Sequence, residues 1–205
     1  MGFLAHLTEK PWLEGESQGV DTDGGGIFSL PTPQIGLRVF LIVATVLFTL
    51  FIVAYTDRMV VADWRPMPEP WLLWVNTALL IASSVALHGA WVGADRGRID
   101  DVRAGLYAAG VFAFAFLAGQ ILAWQQLVAM GYFAASNPAN AFFYLFTALH
   151  ALHLLGGLVA WGRTTAKVRR GLAPGQVHLS VELCAIYWHF LLVVWLVLFG
   201  LLLLT

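Results

Sequence analysis

The stretch Val181–Leu204, VELCAIYWHFLLVVWLVLFGLLLL, decides the fold. Its last 22 residues, Leu183 to Leu204, carry no Asp, Glu, Lys or Arg. At about 1.5 Å rise per residue, that run is roughly long enough for a helix to cross a ~30 Å hydrocarbon core, so it reads as a membrane span. Its first half is unusual for one. Glu182, Tyr187, Trp188 and His189 place polar atoms where lipid offers no hydrogen-bond partner, so those atoms must face other protein. Glu182 and His189 lie seven positions apart, nearly two helical turns, and therefore share one face directed at a neighbouring helix.

Composition extends that reading to the whole chain. With 60% hydrophobic residues, 11% charged residues and a mean hydropathy of +0.77, the 205 residues fall outside the range of soluble domains, where about a quarter of residues are charged. The single cysteine, Cys184, excludes an intrachain disulfide framework or a cysteine-based metal site. A net charge of −1 carries little weight, because in a membrane protein the placement of charge along the loops matters more than its sum.

Residues 1–34 lack a basic region followed by an apolar one, so no cleavable signal peptide is expected, and His6 stands where myristoylation needs Ser or Thr. Glu9, Glu14, Glu16, Asp21 and Asp23, opposed only by Lys10, precede Gly24-Gly25-Gly26 and Pro31-Thr-Pro33; this composition predicts a flexible, acidic, cytoplasmic arm. Five spans are expected after it, at about 35–56, 71–92, 105–130, 141–162 and 180–204. Arg38 lies close enough to the end of the first to snorkel outward, and Trp64, Trp71 and Trp74 are placed like an interfacial aromatic belt. Residues Ala104–Gly162 contain no charge and are too long for one span, so Gly131 and Ser136-Asn137-Pro138 mark a turn within them. The fold class is therefore all-α, a polytopic five-transmembrane-helix bundle. On this topology Lys10, Arg38, Arg96, Arg98, Arg103, Arg163, Lys167, Arg169 and Arg170 share one side, against Arg58 and Arg65 on the other. Basic loops are retained in the cytoplasm, which predicts an inner-membrane protein with a cytoplasmic N-terminus and a periplasmic C-terminus.

His150, His153 and His189 all come near mid-membrane depth. Three imidazoles with Glu182 offer metal ligation, haem binding or proton relay. They equally serve as interhelical hydrogen bonds, and Gly156-Gly157 with Ala148 and Ala151 permits close helix approach. His150 and His153 sit on one span, roughly 60° apart around its axis, which is poor geometry for a bis-histidine haem. Gln120, Trp124, Asn76, Ser83 and Ser84 are further candidates for bonds between helices. There is no phosphate-binding loop, nucleophile with its base, or HExxH site, and no sign of nucleic-acid binding.

Phe142-Phe-Tyr-Leu-Phe-Thr-Ala-Leu-His150-Ala-Leu-His153-Leu-Leu-Gly156-Gly157, with Val181-Glu182 and Tyr187-Trp188-His189-Phe190 before Val193-Val-Trp195, resembles subunit III of the haem-copper oxidases. Gly36-Leu37-Arg38 and Val75-Asn76-Thr77-Ala78 fit the same family, and the five spans are similar to its short form. The resemblance implies a non-catalytic subunit without haem or copper, both held by partners. It would pack in a hetero-oligomer with catalytic subunit I and subunit II, bind phospholipids in a cleft, and support proton uptake and durability in aerobic electron transport. By position Arg38 would meet lipid headgroups, while His150, His153, Glu182 and His189 would join the helices around the cleft. Two positions depart from the family pattern: Val39–Tyr55 lacks the carboxylate often found in the matching span, and Leu192 stands where Asp is frequent. The accessory subunit of nitric oxide reductases is similar too, and a small redox or transport protein using His150, His153 and His189 is the alternative from a different class.

Overall fold

The computed structural model describes residues 31–61, 64 and 71–204. The acidic arm expected over residues 1–34 falls almost wholly outside them. The described residues form five α-helices and no strand: α1 Thr32–Arg58, α2 Leu72–Asp95, α3 Ile99–Ala129, α4 Pro138–Arg169 and α5 Pro174–Leu203. All five are long and apolar enough to cross a membrane.

Each connection is set by local chemistry. Gly131 follows α3 with φ 86, a left-handed conformation that a side chain would strain. Asn137 then caps α4, its side-chain oxygen accepting the Ala139 N–H at 3.2 Å, with Pro138 in the first turn where a missing N–H costs nothing. Asp100 and Asp101 sit in the first turn of α3, Lys167 and Arg169 in the last turn of α4, each complementing the helix dipole. The helices outrun the expected hydrocarbon spans. Charged residues read from sequence as the loop Arg163–His178 are largely helical: residues 163–169 finish α4 and residues 174–178 begin α5. Long basic side chains allow this, since the backbone continues while the charge reaches the headgroups.

Four of the helices close a ring in which α2 contacts α3 and α5, and α4 contacts the same two. The α2–α3 pair is the tightest. Small residues recur every fourth position on both, Ala86, Ala90 and Ala94 on α2 and Gly105, Ala109 and Ala113 on α3, and Gly105 lies directly against Ala86 and Ala90, so the backbones approach closely. A Cβ added to Gly105 would stand 2.6 Å from the Ala86 carbonyl oxygen.

Without water in the hydrocarbon, every indole N–H inside the ring finds a partner on another helix or leaves a costly orphan. Trp188 of α5 donates to Ser83 Oγ of α2 at 2.9 Å, and Ser83 donates to the Ala109 carbonyl of α3 at 2.8 Å. Trp195 donates to Thr77 Oγ1 at 3.0 Å, Trp124 to Thr147 Oγ1 at 3.0 Å, and Trp161 to the Leu106 carbonyl at 2.9 Å. Asn76 and Gln120 bond between α2 and α3 at 3.3 Å.

Helix α1 is packed differently. Only Ala44, Phe48 and Tyr55 are buried on it, and its contacts with the rest are made by large rings: Phe40 with Tyr187 at 5.9 Å, Phe48 with His153 at 5.2 Å, and Tyr55 with Phe142 at 5.4 Å between centroids. Bulky rings hold the α1 backbone off where glycines would draw it in.

Gly105→Val drives a side chain into the α2 backbone and should destabilise the protein by about 1–3 kcal/mol, the usual range for overpacking. Thermal unfolding in detergent should show a clear drop, while Gly200→Ala, which meets nothing within 4 Å, should unfold like the native chain.

Candidate functional site

The standoff of α1 opens a cavity of about 500 Å³ between α1, α4 and α5. Two features of α4 deepen it. Gly156 faces open space, and Gly157 is bare where a Cβ would stand 2.7 Å from the Tyr187 ring. The apolar wall comes from Leu37, Phe40 and Trp188, and Tyr187 is pinned by its hydroxyl donating to the His153 carbonyl at 2.8 Å. At the other end of the cavity stand Arg163 and Lys167, the latter donating to Ser180 Oγ at 2.9 Å. Gly156 and Lys167 are eleven residues apart, about 16 Å along the helix, so the cavity runs from a cationic mouth to an apolar floor. Among the described residues no carboxylate pairs with Arg163 or Lys167.

None of Arg38, His150, His153, Glu182 and His189 lines this cavity, although all lie on the three helices that wall it. Arg38 is exposed beside Leu37. His153 fixes its ring by donating Nδ1–H to the Leu149 carbonyl at 2.8 Å, and wedges between Phe40 and Phe48, setting the α1–α4 spacing. His150 is fully buried inside the ring of helices, between Phe116 and Trp195 at 5.8 and 5.1 Å, and neither ring nitrogen has a hydrogen-bond partner.

His189 meets α2 directly, and Glu182 approaches it only by way of His178 on its own helix. They do so at different depths and with different partners. Glu182 Oε2 lies 3.9 Å from His178 Nδ1, and the other nitrogen of His178 is 2.7 Å from Asp95 Oδ1 at the end of α2. One face of His189 meets Ser84 Oγ at 2.6 Å through Nδ1, and its Nε2 lies 3.4 Å from His88 Nδ1. His150, His153 and His189 therefore do not converge. Among the described residues no three His, Cys, Asp or Glu side chains are grouped to hold a metal ion.

The sequence marks Arg163 and Lys167 only as inner-side cations of a basic loop suited to anionic lipid, and places Asp95, His88 and His178 near the inner ends of their helices without partners. The i,i+4 spacing of His178 and Glu182 was a usable signal once α5 is started at Pro174. The pairing of His88 with His189 had none, since it depends on the register of two helices a hundred residues apart.

Comparison with known proteins agrees with this architecture. The family profile described as cytochrome c oxidase subunit III matches residues 30–204. The chain is 31% identical to cytochrome c oxidase subunit 3 of Thermostichus vulcanus, over 82% of this chain and 85% of that protein. It is 32% identical to the protein of that name in Synechocystis, over 81% and 72%, and 32% identical to the probable cytochrome c oxidase subunit 3 of Mycobacterium tuberculosis, over 67% and 69%. The extent of these matches and the five apolar helices agree: the chain belongs to the cytochrome c oxidase subunit III family.

Proposed function

We propose that this accessory oxidase subunit packs against catalytic subunit I in a complex with subunit II, seats phospholipid in the α1/α4/α5 cleft, and thereby supports proton uptake and the durability of the enzyme. The observation that carries the lipid reading is the polarity gradient of the cleft. Arg163 and Lys167 meet a phosphate at the mouth, and acyl chains lie against Leu37, Phe40 and Trp188 below. Among the described residues no carboxylate pairs with either cation, which leaves both available to the headgroup. Haem and copper belong to the partner subunits in this reading, and the excess of Lys and Arg on one side orients the N-terminus and the cleft mouth toward the cytoplasm. The oxidase names of the relatives favour this partner enzyme over a nitric oxide reductase.

Each basic side chain near an anionic surface contributes about 1 kcal/mol. Arg163→Gln with Lys167→Gln should therefore weaken phospholipid retention roughly tenfold or more, read by native mass spectrometry of the purified complex. Undiminished lipid in the double variant would remove the cleft from the reading. Dissociating the complex under mild conditions should leave haem absorption with the catalytic subunit and none with this chain. A stoichiometric Soret band on the separated chain would overturn the non-catalytic assignment.

A further inference from the structure

The side of the ring away from the cleft carries a second feature. Ile81, Val85 and His88 on α2 and Ile186, His189 and Val193 on α5 follow helical spacing and form one outward seam. Most of it is apolar. His88, however, is exposed, and it lies seven residues, about 10 Å, inside the helix from Asp95, at hydrocarbon depth.

Proton placement follows from the chain of contacts. Among the described residues the Ser84 hydroxyl touches His189 Nδ1 and no other acceptor, so its proton goes to that nitrogen. His189 then carries its proton on Nε2 and gives it to His88 Nδ1. That leaves His88 with an Nε2–H that no side chain among the described residues receives. Lipid tails cannot accept it, and an unpaired donor in hydrocarbon costs several kcal/mol.

We propose that the α2/α5 face centred on His88 and His189 docks onto a transmembrane helix of the catalytic subunit, to which His88 gives its Nε2–H. The receiving group is a hydrogen-bond acceptor at that depth, a carboxylate, hydroxyl or backbone carbonyl. The proposal rests on the reading of this chain as a subunit that packs against the catalytic one, and adds which face does so. A second copy is the poorer occupant. A two-fold axis passing at His88 sets two Nε2–H donors against each other, and pairing of copies about an axis elsewhere on the seam is an outcome the crosslinking below detects.

The test uses the intact complex with a photocrosslinking amino acid at Val85, or at Val159 on the exposed outer face of α4. Crosslinking of Val85, and not Val159, to the catalytic subunit is the expected result. A Val85 crosslink to another copy of this chain overturns the choice of partner. Crosslinking from Val159 alone, or from neither position in a complex that still copurifies, overturns the choice of face and leaves the subunit reading intact. Failure of the native chain to copurify with any haem-bearing subunit defeats the subunit reading itself. In parallel, His88→Leu should speed loss of this subunit in detergent roughly three- to twentyfold, and His88→Asn, which keeps an N–H donor, should restore much of the retention. Equal behaviour of the two variants overturns the hydrogen bond.

Discussion

The structure depends on the absence of water between its helices. An interhelical hydrogen bond in a membrane is worth only about 0.6 to 2 kcal/mol, yet an unpaired indole or hydroxyl there costs several. The penalty for the wrong register, rather than the gain from the right one, therefore fixes how the helices meet. Trp188, Ser83 and the Ala109 carbonyl show the constraint in its simplest form, one relay crossing three helices. Sliding α5 by a single turn past α2 would orphan Trp188, Trp195 and His189 together.

The same constraint separates the two sides of the molecule. The ring α2–α5 carries most of the interhelical polar pairs, and its buried orphans include the Trp91 indole N–H and both His150 nitrogens. Helix α1, by contrast, offers aromatic rings and aliphatic side chains and few polar atoms that need a partner. Nothing obliges it to close on the ring. Its looseness is what makes room for a cleft, and the cleft exists because Gly156 and Gly157 decline to fill it.

Much of this was legible from residue order. Apolar runs and breakers at Gly131 and Asn137-Pro138 count five helices because hydropathy and turn chemistry are local properties. The common direction of Glu182 and His189 follows from a seven-residue spacing and needs no structure. The partners on α2 did not follow, because Ser84 and His88 reach His189, and Asp95 reaches His178, only through the relative height of separate helices. The cations themselves were legible as an inner-side basic stretch, but their place on a helix wall was not. Charge was taken as the end of a helix at Arg163, whereas the backbone continues to Arg169 and carries both cations on the wall of the cleft.

The connectivity of the ring also implies an order of assembly. Helices α2 and α3 are joined by only three residues, 96–98, and α4 and α5 by four, 170–173, so each pair can zip together as a hairpin soon after entering the bilayer. The α2–α5 contact closes across about a hundred residues and waits for both hairpins. Short-range pairs rely on alanine and glycine; the late, long-range closure is where the tryptophan donors and their hydroxyl acceptors are concentrated. Until α5 arrives, Ser83, Ser84 and Thr77 stand on an unfinished edge that other polar transmembrane segments could occupy, and the two indoles of α5 are what make the correct closure selective.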